Sequence, residues 1–251
     1  MIKFNQLFHF FMISKIYDSL LTIVYPQACQ ICENSVENSS DGTICRDCWK
    51  ITRIFTGNEI LCIKCGAYLG ESKAPVETFC HRCDAHFYDS ARAVGIYENA
   101  LAASVVHLKR EPFIAAKLQK LFVSAFYNST FQDVDLIIPV PLSKKRLLER
   151  GFNQAGILAG ILSKEIKIKV DEKSLIRQIH TPMHRAAMDR KARETTVKNA
   201  FEVNRSELIK NKTILLVDDV FTSGATVSNC AEVLKKEGAD KVYVLTVARA
   251  N

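Results

Sequence analysis

Eight of the nine cysteines fall into four identical spacings, Cys29 with Cys32, Cys45 with Cys48, Cys62 with Cys65 and Cys80 with Cys83, and the intervening gaps are 12, 13 and 14 residues. Two thiolates at i and i+3 across a tight knuckle reach one tetrahedral metal ion, and two knuckles complete a four-thiolate shell with no open position. A closed shell is structural, not catalytic. A lone Cys-x-x-Cys serves equally as a redox dithiol, and eight cysteines in a secreted chain form disulfides, but four evenly spaced pairs without a secretion signal argue against both. The spacing predicts two sequential zinc ribbons: Cys29, Cys32, Cys45 and Cys48 in the first, and Cys62, Cys65, Cys80 and Cys83 in the second. Interleaved pairing is the competing arrangement. Two structural Zn²⁺ ions held by eight thiolates would lower the formal net charge from +7 to +3. His81 and His86, beside the last pair, are expected on the surface or in packing, and Cys230 as a small buried residue.

The second chemical signal is the stretch LLVDDVFTSGAT at 215–226. Its loop Thr222, Ser223, Gly224, Ala225 and Thr226 offers successive backbone N–H groups and three hydroxyls at a helix amino terminus, a physical means of holding phosphate. Asp218 and Asp219 would repel a phosphate that touched them, and suit instead the vicinal hydroxyls of a phosphorylated sugar. A Walker A loop needs a Lys after the second glycine, and none follows Gly224. A dinucleotide fingerprint needs three spaced glycines, and a receiver-type acid pair opens its domain, whereas only 32 residues follow Asp219.

Strands and helices that must position these groups are legible around them. The apolar runs 91–97, 136–140, 214–217 and 241–248 read as strands, and 100–108, 112–127, 152–164 and 226–237 as helices. Alternating strands and helices predict an α/β fold with a mostly parallel sheet flanked by helices, in which ligands bind beyond the carboxyl ends of the strands. Residues 141–151, PLSKKRLLERG, read as a basic turn; Lys144, Lys145, Arg146 and Arg150 against Glu149 give it net +3, suited to pyrophosphate or a nucleic-acid backbone, or simply to water.

Composition sets the outer bounds. Hydrophobic residues at 48% and charged residues at 24% exclude a disordered chain. From residue 91 onward the chain carries 26 Lys and Arg against 17 Asp and Glu, an excess that favours anionic partners. The opening segment is interrupted by Asn5, Gln6, His9, Lys15 and Asp18, so it holds no membrane-spanning run, and it lacks a small-x-small cleavage site. Ile13, Ile16, Tyr17, Leu20, Leu21 and Val24 share one helix face, predicting an amphipathic helix within 1–27 that docks on the protein itself or lies on a membrane surface. A double zinc ribbon over 28–90 and an α/β domain over 91–251 follow, in a chain expected in the cytoplasm.

The stretch at 215–226 resembles the 5-phosphoribosyl-1-pyrophosphate (PRPP) motif of type I phosphoribosyltransferases at every position of its pattern. The four cysteine pairs, followed by IIPVPLSKKRLLERGFNQA and then this motif, resemble the bacterial ComF / GntX family. That resemblance implies a type I phosphoribosyltransferase-like sheet behind a double zinc ribbon. It further implies that Asp218 and Asp219 contact ribose hydroxyls and that 222–226 wraps the 5-phosphate. Pro141, Leu142, Lys144, Lys145 and Arg146 match the pyrophosphate loop, and Arg150, Gly151, Phe152, Asn153 and Gln154 the family's RGFNQ signature. Thr181, Arg193, Val197, Ala200 and Phe201 match the family between the two motifs; Met183, His184, Arg185 and Thr196 depart from it, with His184 open as a base or as a surface histidine.

Two functions from different classes follow from the resemblance. One is a competence or DNA-uptake accessory protein that binds PRPP and single-stranded DNA, with a competence helicase-type partner. The other is an active phosphoribosyltransferase, in which Mg²⁺ enters with PRPP and a nitrogen nucleophile accepts the sugar. Trp49, Phe55 and Phe152 are few aromatics for a stacking platform.

Overall fold

The structure is a computed structural model that describes residues 27–71, 77–131, 133–178 and 200–250. The helix expected within 1–27 and the matches and departures over 181–197 lie outside the described residues, apart from residue 27.

Residues Arg46–Lys50 form a one-turn helix, α1, and Glu59–Leu61 (β1) pairs antiparallel with Tyr68–Glu71 (β2). The chain continues through β3 (Ser90–Ile96), α2 (Asn99–Leu108), α3 (Ala116–Tyr127), β4 (Leu136–Pro139), α4 (Lys144–Arg150) and α5 (Gln154–Ile166). It ends with β5 (Leu175–Arg177), β6 (Phe201–Val203), β7 (Thr213–Phe221), α6 (Ala225–Lys236) and β8 (Lys241–Arg249). Strands β3, β8, β7 and β4 form, in that order, a sheet in which every pairing is parallel, so β7 occupies an interior position. Leu215 lies between Ile137 of β4 and Tyr243 of β8. The small β5–β6 pair is antiparallel and separate.

Both sheet faces are buried, as the unbroken apolar runs require, and the strand period of two divides their side chains. Leu215, Val217, Leu245 and Val247 join one core with Leu101, Val105 and Leu108 of α2, Phe122 of α3 and Leu158 and Leu162 of α5. Ile214, Leu216, Val242 and Val244 join the other with Val227, Cys230, Ala231 and Leu234 of α6. Cys230 is fully buried there, as its helical spacing implied.

The two ribbons dock differently. The first joins the α2–α3 core through Val36, Ile44 and Trp49; Thr52 Oγ1 accepts the N–H of Ala100 at 3.0 Å, and Lys117 Nζ pairs with Asp41 at 3.1 Å. The segment leading to the second runs along the free edge of β3. Phe55 N–H donates to Val94 O at 2.8 Å, Ile96 N–H to Arg53 O at 3.0 Å and Ala91 N–H to Lys64 O at 2.7 Å. Unpaired strand edges invite association with other chains, and this one is closed by the molecule itself. The approach is close enough that a Cβ on Gly95 would sit 2.1 Å from Arg53 O.

One expectation is corrected. Residues 144–150 of the basic turn are the helix α4, capped by Ser143, whose Oγ accepts the N–H of Arg146 at 3.4 Å, and stopped at Gly151. Lys, Arg, Leu and Glu are good helix formers, and a Ser before them with a Gly after them is a start and stop signal. α3 also begins at Ala116, four residues past the proline taken as its start.

Candidate functional site

The sulfur atoms of Cys29, Cys32, Cys45 and Cys48 lie within 4.8 Å of one another, and so do those of Cys62, Cys65, Cys80 and Cys83. The pairing is sequential. Sulfur separations are 3.5 Å for Cys32–Cys45, 3.3 Å for Cys65–Cys80, 3.6 Å for Cys80–Cys83 and 3.7 Å for Cys62–Cys83. A tetrahedral ion with metal–sulfur bonds of about 2.3 Å places its sulfurs roughly 3.8 Å apart, so both quartets fit Zn²⁺. The same bond recurs in each: Cys45 N–H donates to Cys29 Sγ, and Cys80 N–H to Cys62 Sγ, both at 3.3 Å. Burial works to raise the Cys29 thiol, but N–H groups of Cys45, Cys32 and Ile31 outweigh it and bring it down to about 6. Cys62 comes down to about 6 in the same way, against burial, through Cys65, Cys80 and Lys64. The backbone thus prepares one thiolate per quartet before any ion arrives.

Asp218 and Asp219 stand near the carboxyl end of β7, half-buried, with Asp219 N–H donating to Asp218 Oδ1 at 2.8 Å. The alternation of the strand turns Asp219 toward α2 and Asp218 toward α6, while the two carboxyl groups still meet at the strand end. Asp219 meets Lys109 at the end of α2, Nζ to Oδ2 3.3 Å, whereas Asp218 is coupled to Cys230 of α6 and Arg177 of β5. Burial, and then the neighbouring Asp219 carboxylate, pushes the Asp218 carboxyl well above the usual carboxylate range.

Beyond β7 the loop 222–226 leads into α6. Thr222 and Ser223 are exposed, while Gly224 is buried with φ of 80° and precedes the first helical residue, Ala225. The N-cap of α6, Gly224, has no side chain to cap the helix, and Ser223 Oγ accepts the N–H of Ala225 at a long 3.4 Å. The helix amino terminus therefore retains N–H groups for an anion.

The basic residues separate into two sets. Burial lowers the Arg150 guanidinium while Asp219 pulls it back up; burial, then Arg146, lowers that of Arg177 while Cys230 and Asp218 oppose them. Lys109, Arg150 and Arg177 thus interact with the acid pair, and Arg146 with these two arginines. Lys144 and Lys145 are exposed, and Lys145 lies 4.0 Å from Glu149. Pro141 and Leu142 are half-buried in the loop after β4. Asn153 caps α5, its Oδ1 accepting from Ala155 N–H at 3.2 Å and its Nδ2 donating to Val140 O at 3.1 Å, which ties the RGFNQ segment to that loop. The Gln154 side chain is buried, and its Nε2 has no hydrogen-bond partner among the described residues.

Comparison with known proteins finds two family matches along the chain. A double zinc ribbon domain matches residues 20–87, and a phosphoribosyl transferase domain matches residues 147–251. The DNA utilization protein YhgH of Shigella flexneri is 31% identical over 239 residues, covering 92% of this chain and 99% of that protein. The chain belongs to the ComF / GntX family. The competence protein ComFC of Bacillus subtilis is 26% identical over 84% of this chain and 85% of its own length. Competence protein F of Haemophilus influenzae is 36% identical over 46% of this chain and 51% of its own.

Within this family member, sequence reasoning missed Lys109 and Arg177. Each stands at the end of an unremarkable element, and only the fold brings it to the acid pair. It also missed His86 as a neighbour of Gly224. Among the described residues, no helix is long and apolar enough to cross a membrane.

Proposed function

We propose that this chain is a ComF-like DNA utilization protein that binds PRPP at 218–226 and single-stranded DNA on its basic surface. The observation that carries the reading is the acid pair near the carboxyl end of an interior parallel strand, followed two residues later by a hydroxyl-rich loop at a helix amino terminus whose N-cap is Gly224. Asp218 and Asp219 accept hydrogen bonds from ribose hydroxyls, and 222–226 donates backbone N–H groups to the 5-phosphate. Arg146 and Arg150 of α4, with Arg177, meet the pyrophosphate. Mg²⁺ entering with PRPP would offset part of the pyrophosphate charge. Lys109 then trades Asp219 for the ligand or the accompanying cation.

Calorimetry with PRPP, with and without Mg²⁺, tests this reading. Saturable binding that needs Mg²⁺ and is lost in Asp219→Ala supports it, and no heat at millimolar PRPP overturns it. Release of pyrophosphate in the presence of a nitrogen nucleophile would move the assignment to an active phosphoribosyltransferase. For DNA, log affinity should fall linearly with log salt, at a slope of about −0.7 per phosphate neutralised.

A further inference from the structure

The second ribbon touches the phosphate loop itself. A Cβ built on Gly224 would lie 2.8 Å from His86 Cε1 and 2.6 Å from Phe221 Cζ, so His86 and Phe221 are the walls against which this glycine is packed. His86 is held from both sides: its N–H donates to Cys83 O at 3.1 Å, and its Nδ1 lies 2.6 Å from the Tyr88 hydroxyl. Tyr88 is 1% exposed and meets the Phe221 ring edge-on at 5.9 Å. Two further links join the same partners. Phe87 N–H donates to Ser228 Oγ, in the first turn of α6, at 3.1 Å; Arg249 donates to Cys65 O and lies 4.6 Å over the Phe221 ring. The first ribbon has its links to α2 and α3 instead, through Thr52, Asp41 and the contact of Gly42 with Ala115.

We propose that the second ribbon forms one wall of the phosphate loop through the positioning residue His86, so that metal in the quartet of Cys62, Cys65, Cys80 and Cys83 sets the loop's affinity for a phosphomonoester. The proposal rests on the PRPP reading for the identity of the ligand, but not for the ordering of the loop. A filled quartet fixes the turn 80–83, that turn fixes His86 and Tyr88, and these hold Phe221 and Gly224 in the conformation that presents the N–H groups of α6. Emptying the quartet frees the loop before any ligand arrives. Emptying the first quartet leaves it in place.

The test uses the full chain with two readouts: hydrogen exchange of 222–228 without ligand, and calorimetry with ribose 5-phosphate. In Cys80→Ser, whose zinc content should fall by one ion, loop exchange should rise and affinity should drop about tenfold, within the usual range of site-to-site coupling. Cys32→Ser should lose one ion with neither effect. His86→Ala, which leaves all ligands intact, should reproduce both effects, and His86→Asn, which keeps a partner for Tyr88, should restore most of the affinity. Unchanged loop exchange in both Cys80→Ser and His86→Ala overturns the proposal, as does an equal effect from Cys32→Ser. If the unaltered protein binds neither ribose 5-phosphate nor PRPP, the PRPP reading fails, while loop exchange still decides whether the ribbon orders the loop.

Discussion

Asp218 carries a cost that its neighbours do not cancel. Its carboxyl binds a proton more tightly in the folded chain than in the unfolded one, so its stabilising share is complete below the ordinary carboxylate range and is lost as pH rises through its elevated value. Asp218→Asn should therefore raise the melting temperature of the ligand-free protein at neutral pH and flatten the decline above pH 4, while weakening PRPP much more than inorganic phosphate. A melting temperature lowered at pH 7 would contradict the burial argument. Gly224→Ala acts differently, because its φ of 80° costs a side chain about 1–2 kcal/mol and the new Cβ meets Phe221 and His86. It should lower stability and weaken phosphate and PRPP together, as differential scanning and calorimetry would show. Gln154 Nε2 is buried without a partner among the described residues, an arrangement that costs roughly 1–3 kcal/mol. Gln154→Met should stabilise the free protein in denaturant titrations, and a simultaneous loss of PRPP affinity would identify that amide as a ligand donor.

At the scale of elements, α4 carries the readiest test. Ser143→Ala removes the cap of a seven-residue helix and should cost about 1 kcal/mol in urea unfolding. The triple replacement of Lys144, Lys145 and Arg146 should flatten the salt dependence of single-strand binding; an unaltered slope would remove α4 from any DNA surface. The same helix shows why part of the fold was illegible. The strands at 136–140, 214–217 and 241–248 were readable because burial on both faces demands unbroken apolar runs. α4 buries no residue, so no apolar stripe marked it, and its charge concealed cap signals that were present at Ser143 and Gly151. The acid pair and its loop were legible because their chemistry is contiguous in sequence, and so were the thiol quartets, because each knuckle is local. Lys109, Arg177 and His86 reach the site from the end of α2, from β5 and from the second ribbon, and only the tertiary fold places them there.

For the whole molecule, the cores pass through the ribbons as well as the sheet. Cys29, Cys45, Cys48 and Trp49 share a buried cluster with α2 and α3, and Cys62, Cys65, Cys83 and Tyr88 share the opposite one with α6. Purified protein should carry about two zinc ions per chain, and chelation should lower the melting temperature of the whole molecule in one transition, since each ribbon shares a buried cluster with the α/β domain. Two well-separated transitions would show the ribbons to be independent. The covered edge of β3 bears on how the chain is made. β3 leaves the ribosome well before its partner in the sheet, β8. Until then β3 can already pair, as it does in the folded chain, with the ribbon segment that has emerged ahead of it, next to its metal site. The ribbons thus serve the nascent chain as a temporary shield, closing one side of an adhesive strand until β8 arrives. Newly made chains starved of zinc should consequently aggregate before they are complete, even where finished, folded protein withstands the loss of its metal.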